Sequence, residues 1–222
     1  MGKKYYEAYN ERYKATHEKN LCWLGTEPSP IVSEIVERYG IRPSDKVLEL
    51  GCGEGRDAAV LLKNGYDLLA TDVSEEAIAY CRLQNPGDED RFRLLDCVAG
   101  ELNQTFDFIY AVAVVHMLVP DEDRNAFYRF VRTHLNPNGI ALICTMGDGT
   151  EERQTDVSTA FELSERNCDG QTVMVANTSC RVVSQETFHR ELAQNGLAIA
   201  EHGFTSVPLQ FSSMLYAVVK TA

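Results

Sequence analysis

Three alternating glycines follow a short apolar run in the first quarter of this 222-residue chain. The run Val47–Leu50 contains one acid, Glu49, and leads into Gly51, Gly53 and Gly55. A short apolar run bounded by glycines is typical of a buried parallel strand, and glycine permits close approaches that a Cβ would block. The apolar residues after the loop predict a helix whose unpaired N–H groups point toward the loop. The pattern therefore predicts a strand–loop–helix cradle for a nucleotide.

The spacing of these glycines differs from that of a dinucleotide-binding loop. Such a loop reads G-x-G-x-x-G, whereas this chain has G-x-G-x-G and carries Arg56 in place of the third glycine. A second predicted strand, Asp67–Asp72, ends in an acid that lies 21 positions after Gly51. An acid about 20 positions after the loop is placed to bind ribose hydroxyls, and an ionised carboxylate offers two acceptor oxygens to a diol. We therefore expect Asp72 to bind a ribose.

Four segments together carry a family resemblance over roughly residues 47–146. They read, in order, E-L-G-C-G-E-G, N-G-Y-D-L-L-A-T-D, L-L-D-C and F-D-F-I-Y-A. Their order resembles the successive motifs of class I S-adenosylmethionine-dependent methyltransferases. The resemblance implies an α/β fold, namely a Rossmann-like, doubly wound, mostly parallel seven-stranded sheet with an antiparallel C-terminal strand.

The same resemblance implies a reaction and a substrate class. The methyl group of S-adenosylmethionine would pass to a small-molecule acceptor by in-line displacement, with S-adenosylhomocysteine released and no metal involved. Within the class, the glycine loop followed by Arg56, the N-G-Y-D run and the chain length look most like the tellurite-resistance and thiopurine-type enzymes.

The cofactor-binding residues also follow from the resemblance. They are Trp23, Glu49, Gly51, Cys52, Gly53, Asp72, Val73, Asp96, Cys97, Ala111 and Val112. Glu49 is expected to reach the amino-acid end of the cofactor, and the backbone of Ala111 and Val112 to line its methionyl end. Asp96 is expected to read the adenine amino group. Alternatively, Asp72 and Asp96 could be ordinary caps at the ends of their strands. That alternative leaves their spacing after the glycine loop unexplained.

Two further residues have open interpretations. His116 follows the fourth predicted strand, Phe106–Val112, at a place where many small-molecule methyltransferases of this class carry a histidine facing the substrate. It is the candidate catalytic residue, a general base near neutral pH; the alternative is a histidine hydrogen-bonded beneath the following loop. Trp23, the only tryptophan, either borders the methionine end of the cofactor or anchors the N-terminal segment.

The residues before His116 bear on the acceptor. Ala111–Val114 reads A-V-A-V where amino-methylating DNA and protein enzymes carry an Asn- or Asp-Pro-Pro-Tyr/Phe signature. Methylation of a planar amino group is therefore disfavoured, and a soft or oxygen nucleophile is expected.

Composition restricts the partners and the compartment. The net charge of −12 disfavours binding to a nucleic-acid backbone. No apolar run approaches the roughly 20 residues of a membrane span, and the N-terminus lacks the apolar core of a signal peptide. The seven cysteines are scattered and none forms C-x-x-C, so we expect reduced thiols and no metal site. The chain is expected to be a cytoplasmic monomer or homodimer without nucleic-acid or membrane partners.

A single methyltransferase domain is expected over residues 1–222. Residues 1–40 are predicted to form an N-terminal helical lid, peripheral to the sheet, and residues 148–183 a cap inserted on the substrate side. Within the cap, short strands are predicted at Ala160–Leu163 and Thr172–Ala176, around a turn at Asn167–Gly170.

Helix starts and the final strands are also predicted. Ser29, Ser74 and Ser184 are expected to cap helices. The last two strands, about 197–204 and 214–220, are expected to form a terminal antiparallel hairpin.

Two other functions remain open at the level of sequence. A nicotinamide oxidoreductase is opposed by Arg56 and by the lack of room for a separate substrate domain. A non-catalytic S-adenosylmethionine-binding protein would keep the cradle without turnover.

Overall fold

The computed structural model describes residues 3–23, 25–207 and 211–222. Its helices are α1 (Ala8–His17), α2 (Pro30–Arg38), α3 (Arg56–Lys63), α4 (Glu75–Gln84), α5 (Asp121–His134) and α6 (Gln185–Gln194). Its strands are β1 (Lys46–Leu50), β2 (Asp67–Asp72), β3 (Phe92–Leu94), β4 (Phe106–Val112), β5 (Leu135–Met146), β6 (Arg153–Gln154), β7 (Leu163–Cys168), β8 (Gln171–Ala176), β9 (Arg181–Val182), β10 (Leu197–Val207) and β11 (Phe211–Thr221).

Seven strands form one sheet in the order β10-β11-β5-β4-β1-β2-β3. Strands β1 to β5 are mutually parallel, and β11 runs antiparallel to both β5 and β10. The predicted Rossmann-like, mostly parallel seven-stranded sheet with its terminal antiparallel hairpin is therefore confirmed. The strand order reverses between β1 and β4, and a crevice at the carboxyl ends of the strands is the usual ligand site at such a point.

Helices cover both faces of this sheet, which explains why its central strands are almost continuously apolar. Successive side chains of β1 point to opposite faces. Leu48 packs in one core cluster with Phe127 of α5, and Val47 packs in the other with Ile35 of α2. Both rows of β1 are therefore buried, one against α5 and the other against α2, and this packing holds the carboxyl end of β1 in place.

The glycine loop after β1 depends on the absence of side chains at two positions. Gly51 has φ +70°, and a Cβ there would lie 2.5 Å from Cγ2 of Val114. Gly55 has φ +78°, and a Cβ there would lie 2.9 Å from Sγ of Cys81. The loop therefore closes tightly against its neighbours, and α3 begins directly after it at Arg56.

The predicted N-caps divide into two kinds. The hydroxyl oxygens of Ser74 and Ser184 accept hydrogen bonds from backbone N–H groups three residues on, as predicted. Ser29 occupies the N-cap position of α2, but its hydroxyl donates to Asp57 Oδ2 at 2.8 Å instead. Ser29 therefore ties the start of α2 to the first turn of α3.

One predicted strand is wrong. The strand is β7, Leu163–Cys168, not Ala160–Leu163, and the hairpin turn is confined to Asp169 and Gly170, with φ +48° and +78°. The strand was missed because β7 is mainly polar and exposed. Ala160, which gave the apolar signal, packs instead against Ala8 of α1 and Ala176 of β8.

The N-terminal segment is also less peripheral than expected. Tyr6 and Tyr13 are 6% and 4% exposed, and Tyr6 belongs to the main core cluster. Asn10 of α1 accepts hydrogen bonds through Oδ1 from the hydroxyl of Ser74 and the backbone N–H of Glu76. The segment is therefore packed into the domain because it buries aromatic rings and bonds the start of α4.

We expect Tyr6→Ala to lower the free energy of unfolding by about 3–5 kcal/mol, the range for removing a buried aromatic ring. Lys14→Ala, at an exposed position of the same segment, is the control and should change it by less than about 0.5 kcal/mol. Chemical denaturation of the three proteins measures this difference. Equal stabilities for Tyr6→Ala and the wild type would show that the segment is peripheral after all.

Candidate active site

A cavity of ≈560 Å³ opens where β1, β2 and β4 end. One wall consists of the loops that follow these strands, including Gly51, Asp72 and Val114. The opposite wall comes from α1, through Arg12, and from the segment after β8, through Asn177. The cavity therefore lies between the sheet edge and the two parts of the chain predicted to cover it.

Most of the predicted site residues line this cavity. They are Trp23, Glu49, Gly51, Cys52, Asp72, Val73, Asp96, Cys97, Val112 and His116. Gly53 and Ala111 are not among the lining residues. The N–H of Gly53 donates to Asp72, and Ala111 is 1% exposed within the core. Their predicted contacts with a cofactor remain predictions.

The Asp72 carboxylate joins two loops at the bottom of the cavity. Its Oδ2 accepts the N–H of Gly53 at 2.8 Å, and its Oδ1 accepts the N–H of Ser74 at 2.9 Å. Burial raises the pKa of Asp72, and these backbone N–H groups act against that rise. Each carboxylate oxygen has a further lone pair, so the group can still accept hydrogen bonds from a diol.

Asp96 is held by the N-terminal segment. Its Oδ2 accepts hydrogen bonds from Lys4 Nζ at 2.7 Å and from the Tyr6 hydroxyl at 3.0 Å. Burial acts to raise the pKa of Asp96, but Lys4 and the N–H of Val98 outweigh it and hold the pKa below its usual value. The sequence gave no indication of Lys4, because it lies 92 positions away and its pairing depends on how α1 packs.

Two further acids, Glu49 and Asp57, lie just before and just after the glycine loop. The hydroxyl of Tyr110 donates to Glu49 at 3.0 Å. Burial, and after it the charge of Asp57, raises the pKa of Glu49 well above its ordinary value. Arg56 Nε lies 3.7 Å from Oδ2 of Asp57. Arg56 and Asp57 line the cavity although neither was predicted as a site residue; their position in the first turn after the glycines was the available signal.

The segment after β4 presents His116 to the cavity. Ala113 adopts φ +60°, which is unusual for alanine, and a 3-10 helix over Val115–Met117 follows. The ring of His116 is 2% exposed and contacts Phe211 edge-to-face at 5.5 Å. Its Nδ1 is buried and makes no hydrogen bond within the described part of the chain.

Burial, assisted by the charge of Arg124, lowers the pKa of His116 to about 3. The ring is therefore neutral at pH 7 and is a weaker base than an exposed histidine. Its expected role as a base stays a prediction. Because Nδ1 has no partner among the described residues and the ring lines the cavity, His116 can hydrogen-bond a bound ligand.

Arg124 fixes the position of this segment from below. It donates to the carbonyl of Val115 at 2.7 Å and forms a two-pronged pair with Glu191 at 2.9 and 2.6 Å. The hydroxyl of Ser179 holds the carbonyl of Met117 at 2.6 Å from the cap side. The sequence could not reveal these partners, because they come from distant elements and carry no local pattern.

Comparisons with known proteins show what this fold and cavity are similar to. Residues 48–141 match the methyltransferase domain family. The probable S-adenosyl-L-methionine-dependent methyltransferase TehB of Haemophilus influenzae is 31% identical over 117 residues, which are 51% of this chain and 40% of that protein. The chain thus spans about two fifths of that relative's length.

Two solved structures share the fold over most of the chain. The glycopeptide N-methyltransferase MtfA in complex with S-adenosyl-L-methionine has a TM-score of 0.63 at 21% identity, covering 90% of this chain and 97% of that chain. The 1,6-didemethyltoxoflavin-N1-methyltransferase of Burkholderia thailandensis, with 1,6-didemethyltoxoflavin and S-adenosylhomocysteine bound, has a TM-score of 0.70 at 17% identity, covering 100% of this chain and 92% of that chain.

Residues 48–141 thus match a methyltransferase domain, in agreement with the sequence motifs, and the curated relative TehB is similar over half of this chain. No helix among the described residues is long and apolar enough to cross a membrane. Over residues 3–23, 25–207 and 211–222, no group of three or more His, Cys, Asp or Glu side chains is arranged to hold a metal ion.

The low pKa of His116 predicts a pH dependence of stability. In the unfolded state the ring titrates near pH 6.5. The contribution of the neutral, folded ring to the free energy of unfolding is therefore fully present above that pH and is lost as the pH falls toward about 3. Between pH 7 and pH 5 we expect the wild type to lose about 2 kcal/mol more than His116→Gln. Denaturation curves at several pH values measure this; parallel curves for the two proteins would contradict it.

Proposed function

We propose that this protein transfers the methyl group of S-adenosylmethionine to a small-molecule acceptor by in-line displacement and releases S-adenosylhomocysteine. The observation that carries the proposal is the convergence of the glycine loop after β1 and Asp72 after β2 on one cavity. The match of residues 48–141 to the methyltransferase domain family supports it.

The residues of the cavity fit this cofactor. Gly51 lines the cavity, and its lack of a Cβ lets the glycine loop pack closely against Val114 in the cavity wall. In this proposal Asp72 accepts the ribose hydroxyls, Asp96 with the backbone of Cys97 reads the adenine, and Glu49 reaches the amino-acid end.

The other predicted contacts, with Trp23, Cys52, Gly53, Val73, Ala111 and Val112, belong to the same proposal. The elements that hold these residues have separate tasks in it. The loop after β1 would place the cofactor, and the segment after β4 would form the boundary with the acceptor.

Methyl transfer requires the protein mainly to align the acceptor with the methyl group of the cofactor. S-adenosylmethionine supplies a methyl group on a sulfonium, which is already activated toward attack. The chain has to hold the acceptor in line at near-attack distance and to keep water out. Residues 1–40 and 148–183 serve as lid and cap in this proposal, because α1 and the β7–β8 hairpin both contribute to the wall of the cavity. His116 would orient the acceptor through a hydrogen bond.

Three features support a small acceptor. The net charge of −12 opposes binding to polyanions. The Asn- or Asp-Pro-Pro signature of macromolecular amino-methylation is absent from the sequence after β4. The cavity is bounded on the side opposite the sheet by α1 and the cap, which suits a small ligand. We propose a soft or oxygen nucleophile as the acceptor atom and the cytoplasm as the place of action.

Asp72→Ala should weaken binding of S-adenosylhomocysteine by about 1–3 kcal/mol, the scale for unpairing buried hydrogen bonds. Asp67→Ala is the matched control, because Asp67 lies at the opposite end of β2 and pairs with Arg91 on the surface. Calorimetry measures the affinity of the wild type and of both variants for S-adenosylhomocysteine and for NAD. Circular dichroism checks that each variant folds.

The proposal predicts heat with S-adenosylhomocysteine, none with NAD, and an unchanged affinity in Asp67→Ala. Tight NAD binding without S-adenosylhomocysteine binding would overturn the proposed function. An unchanged affinity in a folded Asp72→Ala variant would remove Asp72 from the ribose site.

A further inference from the structure

An arginine without an acidic partner lies in the wall of the cavity. Arg12 of α1 lines the cavity and is 6% exposed. Its Nε and Nη2 donate to the carbonyl of Ala176, and Nη2 also donates to the carbonyl of Asn177, at 2.6–3.0 Å. Among the described residues, no acceptor bonds its Nη1 and no carboxylate lies within 4.0 Å of its guanidinium.

The surroundings of Arg12 hold the guanidinium in a fixed position. Its Cζ lies 5.0 Å from the ring centre of Tyr9 and 4.6 Å from that of Trp23. The bonds to the end of β8 fix one edge of the group. The remaining edge keeps its donors, since an arginine stays charged and carries five N–H groups in a planar fork.

A second cationic side chain lies at the same wall. Arg166 of β7 lines the cavity and is exposed, and its charge contributes to lowering the pKa of Arg12, for which burial is the larger cause. No ion pair of Arg166 occurs among the residues described, although Asp169 of the adjoining turn also lines the cavity. Neither guanidinium forms an ion pair with a described carboxylate, although the protein carries a net charge of −12.

Burying a charge without a counter-charge is costly, and the cost falls when a ligand supplies the counter-charge. Planar guanidinium groups bind carboxylates with two parallel hydrogen bonds and in a defined orientation. The free edge of Arg12 and the nearby Arg166 therefore match a small planar anion better than a neutral group.

We propose that Arg12, assisted by Arg166, forms a carboxylate subsite and that the carboxylate belongs to the methyl acceptor. The acceptor is assigned because both arginines are bound to the cap side, Arg12 through Ala176 and Asn177 and Arg166 through its place in β7. The glycine-loop end of the cavity has its own guanidinium, Arg56. The inference rests on the proposed function and adds the charge of the substrate: an acidic small molecule.

The test compares acids with their amides in protein saturated with S-adenosylhomocysteine. Benzoate and benzamide form one pair, and 3-mercaptopropionate and its amide form another. Binding is measured by calorimetry and by the fluorescence of Trp23, the only tryptophan of the chain, which stacks on Arg12. We expect each acid to bind about tenfold or more tightly than its amide, the scale of one charge-assisted hydrogen bond.

Three variants identify the residue responsible. Arg12→Gln should abolish the preference for the acid, and Arg12→Lys should retain part of it because the charge remains. Arg91→Gln is the matched control, since Arg91 pairs with Asp67 on the surface outside the cavity and its loss changes the net charge equally. It should keep the full preference.

Several results would overturn the subsite. They are the absence of a preference in the wild type, a preference that survives Arg12→Gln, and equal weakening of acid and amide, which would make Arg12 only a clamp for the cap. If Arg12→Gln weakens S-adenosylhomocysteine but not its decarboxylated analogue, the carboxylate belongs to the cofactor and the acceptor assignment is wrong.

Failure of the proposed function is recognised separately. A wild type that binds no S-adenosylhomocysteine overturns the proposed function, and the acid and amide probes are then titrated without it. A preference for acids that depends on Arg12 would still establish the subsite under those conditions, and its absence would overturn it.

Discussion

A buried carboxylate at the end of β2 holds together the two loops on which the cavity depends. Asp72 accepts one N–H from the glycine loop, through Gly53, and one from the start of α4, through Ser74. Without these bonds the backbone of the glycine loop would lack an acceptor in a region where water is scarce. The parallel strands determine where the loops begin, and Asp72 determines how they lie relative to each other.

The walls of the cavity depend on contacts between residues that are far apart in sequence. Arg124 and Glu191 form a buried pair that supports the segment of His116, and Lys4 of the N-terminal segment pairs with Asp96. Removal of one member of a buried pair leaves the other charge without compensation. Lys4 belongs to the N-terminal segment, so this segment contributes to the packing of the domain as well as to the wall of the cavity.

The sequence predicted those features that local chemistry determines. The glycine loop, the acid ending β2 and the caps at Ser74 and Ser184 each follow from a few adjacent residues, and the structure confirms their geometry. The polar strand β7 was misplaced because an exposed hairpin has no apolar alternation to mark it. Arg12 and Arg124 were missed because a cation gains its role only when packing determines which acceptors lie nearby.

The central claim is that this fold transfers a methyl group to a small molecule. It is tested most directly by incubating the protein with S-adenosylmethionine labelled in its methyl group and a cell extract separated into small molecules, nucleic acid and protein. The account predicts enzyme-dependent label in the small-molecule fraction, with formation of S-adenosylhomocysteine. Label confined to nucleic acid or protein, or cofactor binding without transfer to any fraction, would contradict it.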